Sequence, residues 1–273
     1  MKYQEYPPHP LLADAVCCFW TSERDLRELQ GSIDVLPDTY IEIIFNSGAD
    51  QIDDGQSTIN MPDCYVVGLL DKPFRLLGQS LLKTVAVRFY AWGFYPLVGI
   101  DLQREQIIQP LGGEWQVLAL EIHDALECDG EQAAINILQE HLLKQAYALQ
   151  GRTNGVQNLS QVLYQQQGRA KINVVATDEF ISQRQLERRF KALIGITPKA
   201  LSRKLRFQQV RDELSQHPQT DLSTLAQDFG YADQAHLNRE FKTFSNRTPG
   251  QFAAEMHNIR EELRFGVAFT EAK

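Results

Sequence analysis

Leu186-Glu187-Arg188-Arg189-Phe190-Lys191 returns 51 residues later as Leu237-Asn238-Arg239-Glu240-Phe241-Lys242. Each copy runs on to a Thr-Pro pair at that same offset, Thr197-Pro198 and Thr248-Pro249. Within the copies Leu186, Phe190 and Leu193, then Leu237, Phe241 and Phe244, keep the spacing of a helix face turned to a core. The spacing predicts helices near Gln183 to Ile194 and Gln234 to Phe244. Ser182 and Asp233 stand as N-caps for them, and Pro198 and Pro249 occupy first helical positions, where a missing N–H costs nothing. Further helices are expected near Val156 to Gln167, Ile172 to Glu179, Pro198 to Ser215, Leu222 to Phe229 and Pro249 to Arg260. A repeat of this length, holding a helix, a turn and a second helix, reads as two tandem helix-turn-helix units.

The outer faces of the two repeated helices carry the side chains that major-groove readout requires. Arg pairs bidentately with guanine, Gln or Asn with adenine, and Glu accepts from cytosine. Base contacts are therefore expected from Arg184, Glu187, Arg188, Gln234, Asn238 and Arg239. Ser182, Lys191, Lys199, Arg203 and Lys242 suit phosphates, which position a protein without reporting sequence. A single charged stripe is by default a solvated surface, but a duplicated stripe behind a duplicated turn favours recognition. The intervening helix of about 18 residues spans about 27 Å, enough to set two reading helices near the roughly 34 Å repeat of successive major grooves.

Charge is divided in the same sense. The whole chain has a formal net charge of −8, which taken alone argues against a nucleic-acid partner. From Gly155 onward, however, there are 17 Lys plus Arg against 13 Asp plus Glu, and before it 10 against 22. The window Ser182 to Arg206 holds eight basic residues opposed only by Glu187, a local field that attracts phosphate.

The first 110 residues change character. Short runs with strand composition, Ala15 to Thr21, Ser32 to Leu36, Tyr40 to Asn46, Ser57 to Asn60, Tyr65 to Leu69, Phe74 to Leu77 and Thr84 to Phe89, alternate with Pro, Gly, Asp and Asn punctuation. From Trp115 the period turns helical, with Leu118, Ile122 and Leu126 on one face. The expected fold class is α+β: a small cupin-like β-barrel with flanking helices, followed by an all-α tandem helix-turn-helix domain. The expected domains are residues 1–150 for effector sensing and dimerisation and 155–260 for DNA binding, joined by a linker at Gly151 to Gly155.

Other chemistries find little support. There is no G-x-G-x-x-G, P-loop, H-E-x-x-H or G-x-S-x-G pattern, and His123-Asp124 reads as a surface pair. Neither catalytic residues nor cofactors are expected. Cys17, Cys18, Cys64 and Cys128 show no C-x-x-C spacing or disulfide framework, which fits a reducing cytoplasm. Cys17 and Cys18 with His9 are ligand types for a metal, but neighbours on a regular strand face opposite sides, so no metal site is expected. The apolar stretch Val85 to Ile100 is broken by Arg88 and Pro96, and no membrane association is expected.

Residues from about 155 to 258 resemble the DNA-binding domain of the AraC family of transcriptional regulators. The resemblance rests on Ala176 to Ser182, Leu186 to Lys191, Gly195-Ile196-Thr197-Pro198, Ala226 to Tyr231, Gln234 to Lys242 and Thr248-Pro249. Two departures stand out. Phe180 replaces a usual Gly in the first turn, and Asn246 replaces one in the second unit, where Asn tolerates the left-handed conformation. The N-terminal part is similar to sensor domains of that family through Pro8-His9-Pro10-Leu11-Leu12, Val35-Leu36-Pro37-Asp38, Glu42-Ile43-Ile44-Phe45-Asn46 and Val87-Arg88-Phe89. The resemblance implies a sequence-specific transcription regulator, an activator acting as a homodimer, with double-stranded DNA, RNA polymerase and a small-molecule effector as partners. Two readings compete with it: a protein-interaction module whose DNA surface has decayed, supported by Phe180, and an enzyme using the barrel.

Overall fold

The structure, a computed structural model, describes residues 2–29, 31–47, 51–53, 55–102, 106–147, 155–170 and 182–264. Strands β1 (Lys2–Tyr6), β2 (Val16–Asp25), β3 (Ser32–Val35), β4 (Tyr40–Ser47), β5 (Gln51–Asp53), β6 (Thr58–Asn60), β7 (Cys64–Val67), β8 (Phe74–Leu77), β9 (Leu81–Tyr90) and β10 (Ile108–Pro110) form the N-terminal part. Helices α1 (Phe94–Val98), α2 (Glu114–Cys128) and α3 (Glu131–Tyr147) accompany them. The remainder is helical: α4 (Gly155–Gln165), α5 (Gln183–Ile194), α6 (Pro198–Gln216), α7 (Leu222–Asp228), α8 (Gln234–Ser245) and α9 (Pro249–Arg264). The class is thus α+β, sheet-rich first and helical afterwards.

The strands do not close into the expected barrel. They form two antiparallel sheets, one ordered β1-β2-β9-β4-β7-β10 and one ordered β3-β8-β5-β6. Closure needs an unbroken ladder from edge to edge. Here the outer strand β10 has three residues and ends in Pro110, which has no N–H to donate. The four strands of the small sheet are only three or four residues long, too short to continue the ladder around.

Alternation explains the layers. On β4, Ile41, Ile43 and Phe45 join a core shared with Leu118, Ile122, Leu138 and Leu142 of α2 and α3. Ile44 and Ala86 point the other way, into a second core with Ile52 and Phe74 of the small sheet. Because both faces of the large sheet are covered, its central strands read as continuous apolar runs. Strands β1, β5 and β10 are short additions that the sequence pattern does not predict, whereas Phe74 to Leu77 coincides with β8.

The first core does not stop at the N-terminal part. It continues through Trp92 and Phe94 into Leu159 and Leu163 of α4, Leu186, Phe190 and Ile194 of α5, and Leu201 and Leu205 of α6. A third core gathers Phe207, Val210 and Leu214 of α6 with Leu225, Leu237, Phe241, Phe244 and Phe252. The connecting helix α6 is consequently buried along two different faces, one per unit.

The N-terminal part also docks on α6 through polar contacts. Lys204, only 1% exposed, reaches Asp71 at 2.7 Å and the Leu70 carbonyl. Thr39 donates to Gln208 at 2.8 Å, and Arg211 donates to the Pro37 carbonyl at 3.0 Å. Arg247 bridges Asp34 and Glu255. Gly168 closes α4 at φ +77°, where an added Cβ would lie 2.3 Å from the Ser202 carbonyl; glycine is required by both the left-handed conformation and the close approach to α6. Among the described residues no helix is long and apolar enough to cross a membrane.

Candidate nucleic-acid interface

The start of α5 is set by a reciprocal capping box. Ser182 Oγ accepts from the Gln185 N–H at 3.3 Å, and Gln185 Oε1 accepts from the Ser182 N–H at 3.1 Å, satisfying two donors that the first turn leaves unpaired. The helix ends at Gly195, φ 92°. At the start of α8, Asp233 accepts from the His236 N–H at 2.6 Å, and the end is Asn246 in the left-handed conformation, φ 60°. Both expected caps and the expected tolerance of Asn246 are observed. The expected helix Ile172 to Glu179 and the Phe180 turn lie outside the described residues, as does most of the proposed linker.

On α5 the buried face is Leu186, Phe190 and Ile194. Leu193, expected in the core, is only half-buried, because the 3.6-residue period carries the stripe to Ile194 by the last turn. The opposite face exposes Arg184, Arg188 and Lys191, while Glu187 is half-buried and accepts from Gln183 at 2.7 Å. Ser182, Arg184, Glu187, Arg188, Lys191 and Thr197 line one shallow surface depression. Lys199 lies exposed in the first turn of α6.

On α8, Leu237, Phe241 and Phe244 are buried as expected. Gln234, Arg239 and Lys242 are exposed; Asn238 is half-buried, and its Oδ1 is covered without a hydrogen-bond partner among the described residues. Gln234 Oε1 accepts from Ser223 of α7 at 3.3 Å.

Arg203 occupies a different setting from the other expected phosphate ligands. Its guanidinium lies 2.6 Å from Glu240 and over the Phe244 ring. Glu240, on α8, also receives Arg206 at 3.3 Å and faces His236 Nε2 at 3.5 Å. This nearly buried carboxylate braces α8 against α6, a role the sequence reading missed. One signal was available: Glu240 is the acidic residue standing where the first copy of the motif has Arg189.

The two helices therefore present matching faces of guanidinium, ammonium and amide donors, each anchored by a capped N-terminus and a buried aromatic. Such a face can hydrogen-bond base edges and neutralise phosphates. A second feature adjoins α5. A cavity of about 570 Å³ opens between its C-terminal end and the N-terminal part, with Leu69, Leu70, Tyr95, Leu102, Leu193 and Ile196 among its lining.

Residues 175–255 match a family described as helix-turn-helix domain, and residues 4–105 match a family described as a domain of unknown function. No curated protein sequence matches the chain. Among solved structures, the chain is similar to ToxT from Vibrio cholerae O395, with 9% identity over 86% of this chain and 98% of that one, TM-score 0.47. It is also similar to the C-terminal domain of AraT, a response regulator from Geobacillus stearothermophilus, with 22% identity over 38% and 86%, TM-score 0.35. A third is the DNA-binding domain of AdpA in complex with a target DNA, with 18% identity over 40% and 99%, TM-score 0.36. The helical part carries a helix-turn-helix domain over residues 175–255.

Proposed function

We propose that this chain is an AraC-type DNA-binding transcription regulator, an effector-responsive, homodimeric activator that reads two adjacent major grooves and acts with RNA polymerase in the cytoplasm. Residues 1–150 serve as the sensing and dimerisation domain and residues 155–260 as the reading domain. Arg184, Glu187 and Arg188 read bases in one groove and Gln234, Asn238 and Arg239 in the next. Ser182, Lys191, Lys199 and Lys242 hold phosphates, and Arg203 joins them when the Glu240 brace yields. The observation that carries this reading is the pair of capped, cation-bearing helices packed on two faces of one 19-residue helix.

The interdomain cavity supports the effector part of the proposal. Its walls come from both the N-terminal part and the end of α5, so an occupant has a differential affinity for arrangements of the two. That difference is the only means by which a ligand shifts an equilibrium. The cavity size suits a small molecule, and its lining offers both apolar side chains and the charged groups of Asp71, Lys72 and Asp101.

Selection of bound sequences from a random DNA pool tests the reading. The expected result is an enriched motif with two segments about one helical turn apart. Absence of enrichment, with folding verified by circular dichroism, overturns it in favour of an interaction module. A metabolite that raises the melting temperature of the full chain should also change its DNA affinity, and turnover of that metabolite would point to an enzyme instead.

A further inference from the structure

The repeated motif differs at one position that the fold treats in opposite ways. Arg189 of the first copy is exposed, whereas its counterpart in the second, Glu240, is buried against α6. Glu240 Oε1 accepts from Arg203 Nε at 2.6 Å, and Oε2 accepts from Arg206 Nη2 at 3.3 Å. His236 Nδ1 accepts the Ala232 N–H at 3.3 Å, which leaves Nε2 to carry the ring proton towards Glu240 Oε1 at 3.5 Å. One carboxylate thus gathers two guanidinium groups of α6 and an imidazole of its own helix.

We propose that Glu240 is a positioning residue that withholds Arg203 from the phosphates of duplex DNA of arbitrary sequence, so that the first unit supplies the charge-driven hold and the second reads by fit. The inference rests on the DNA-reading proposal above and adds the condition under which the Glu240 brace stays closed. Arg203 is withheld by charge and geometry together. Its Nε–H is committed to Glu240, its guanidinium lies over the Phe244 ring at 5.5 Å, and its side chain is 36% exposed. A cation already neutralised by a protein carboxylate displaces no further counterion when a phosphate approaches, so it adds nothing to the salt-dependent part of binding.

Arg206 is withheld by burial. Its side chain is 16% exposed, Nη1 donates to the Gly168 carbonyl at 3.4 Å, and the guanidinium sits over Tyr231 at 5.4 Å. Its Nε is covered without a hydrogen-bond partner among the described residues. Glu240 is therefore the carboxylate that compensates this buried cation, and that demand holds it in place beside Arg203.

Charge on the two reading helices follows the same division. Helix α5 carries Arg184, Arg188, Arg189 and Lys191 against Glu187, four cations to one carboxylate, and all four are exposed. Helix α8 carries Arg239 and Lys242 against Glu240, two to one.

Binding of the full chain to a duplex of about 30 base pairs and arbitrary sequence, measured by fluorescence anisotropy over a salt series, tests the proposal. Each phosphate contact contributes about 0.9 to the slope of log affinity against log salt concentration. Glu240→Gln keeps the size and an acceptor but drops the charge, so its slope should steepen by about 0.9 as Arg203 is released. Adding Arg203→Gln to that variant should restore the wild-type slope, and Arg189→Gln alone should make it shallower by about 0.9. A change that merely loosened α8 would lower affinity at every salt concentration without steepening the slope. A second readout leaves Glu240 intact: the Arg203 Nε–H signal, assigned in NMR spectra by its absence from Arg203→Lys, should stay in place when the wild-type chain is saturated with the same duplex. An unsteepened slope in folded Glu240→Gln, or movement of the Arg203 signal on adding duplex, overturns the withholding. An Arg189→Gln slope equal to that of the wild type overturns the assignment of the hold to the first unit. No binding by the wild type even at low salt overturns the DNA-reading proposal itself, and this inference with it.

Discussion

The two helix-turn-helix units share a motif and differ in what holds them. The second has a separate core, in which Leu237, Phe241 and Phe244 pack with residues of α6, α7 and α9, and only Leu36 of the N-terminal part is packed against it. The first is built into a larger body, because Leu186 and Phe190 belong to the core that runs through α4 into α2, α3 and the large sheet. Helix α5 is thus packed continuously with the sheet-rich part, while the second unit meets that part through α6, through Leu36 and through the contact of Arg247 with Asp34.

The largest effects should separate these two cores. Phe190→Ala and Phe241→Ala each delete a fully buried ring and should cost about 3–5 kcal/mol. Phe190→Ala is expected to lower hydrogen-exchange protection in α2, α3 and β9 as well as in α5. Phe241→Ala should confine its loss to α6 through α9. Loss restricted to α5 in the first variant would mean that the continuous core is not a cooperative unit.

A smaller effect sharpens the comparison at the DNA surface. Arg188→Ala and Arg239→Ala should each cost roughly 1–3 kcal/mol on the preferred site and relax preference at one base, whereas Lys191→Ala should weaken all sequences alike. Equal penalties for the two arginines support equal reading by both units. A uniform loss with Arg188→Ala would reassign that residue to a phosphate.

The smallest effect is on pH. His123 of α2 and His141 of α3 have pKa values lowered by burial, so the unfolded chain binds their protons more readily than the folded one. Their contribution is complete above the ordinary histidine value of 6.5 and declines as the pH falls through the folded values. Acidification should therefore loosen α2 and α3, and the first unit with them, before the second. His123→Gln and His141→Gln together should flatten the decline observed in urea titrations of the full chain.

Much of the layout of α5 and α8 was legible in residues 182–249 because its determinants are local. Caps at Ser182 and Asp233 act over three residues, Pro198 and Pro249 mark helix starts, and the period of Leu and Phe separates core from outer face. Glu240 escaped because its role depends on Arg203 and Arg206, more than 30 residues away in sequence. The packing of the Tyr164 ring of α4 against Tyr40 and Tyr90 escaped for the same reason, since these partners lie on β4 and β9.

By itself the sequence determined the α+β class, the helices from Gln183 onward and the exposed, cation-bearing outer faces of α5 and α8, all of which follow from short-range period and capping. Only the tertiary structure decided that the strands form two open sheets, that α6 serves two cores, that Lys204 is buried against Asp71, and that a bulge at Cys17 lets both Cys17 and Cys18, expected on opposite faces, pack against the second core. The physical reason is reach. A helix is specified within a few turns of its own chain, whereas sheet edges, domain docking and the register of a strand depend on partners that only the folded chain brings within contact.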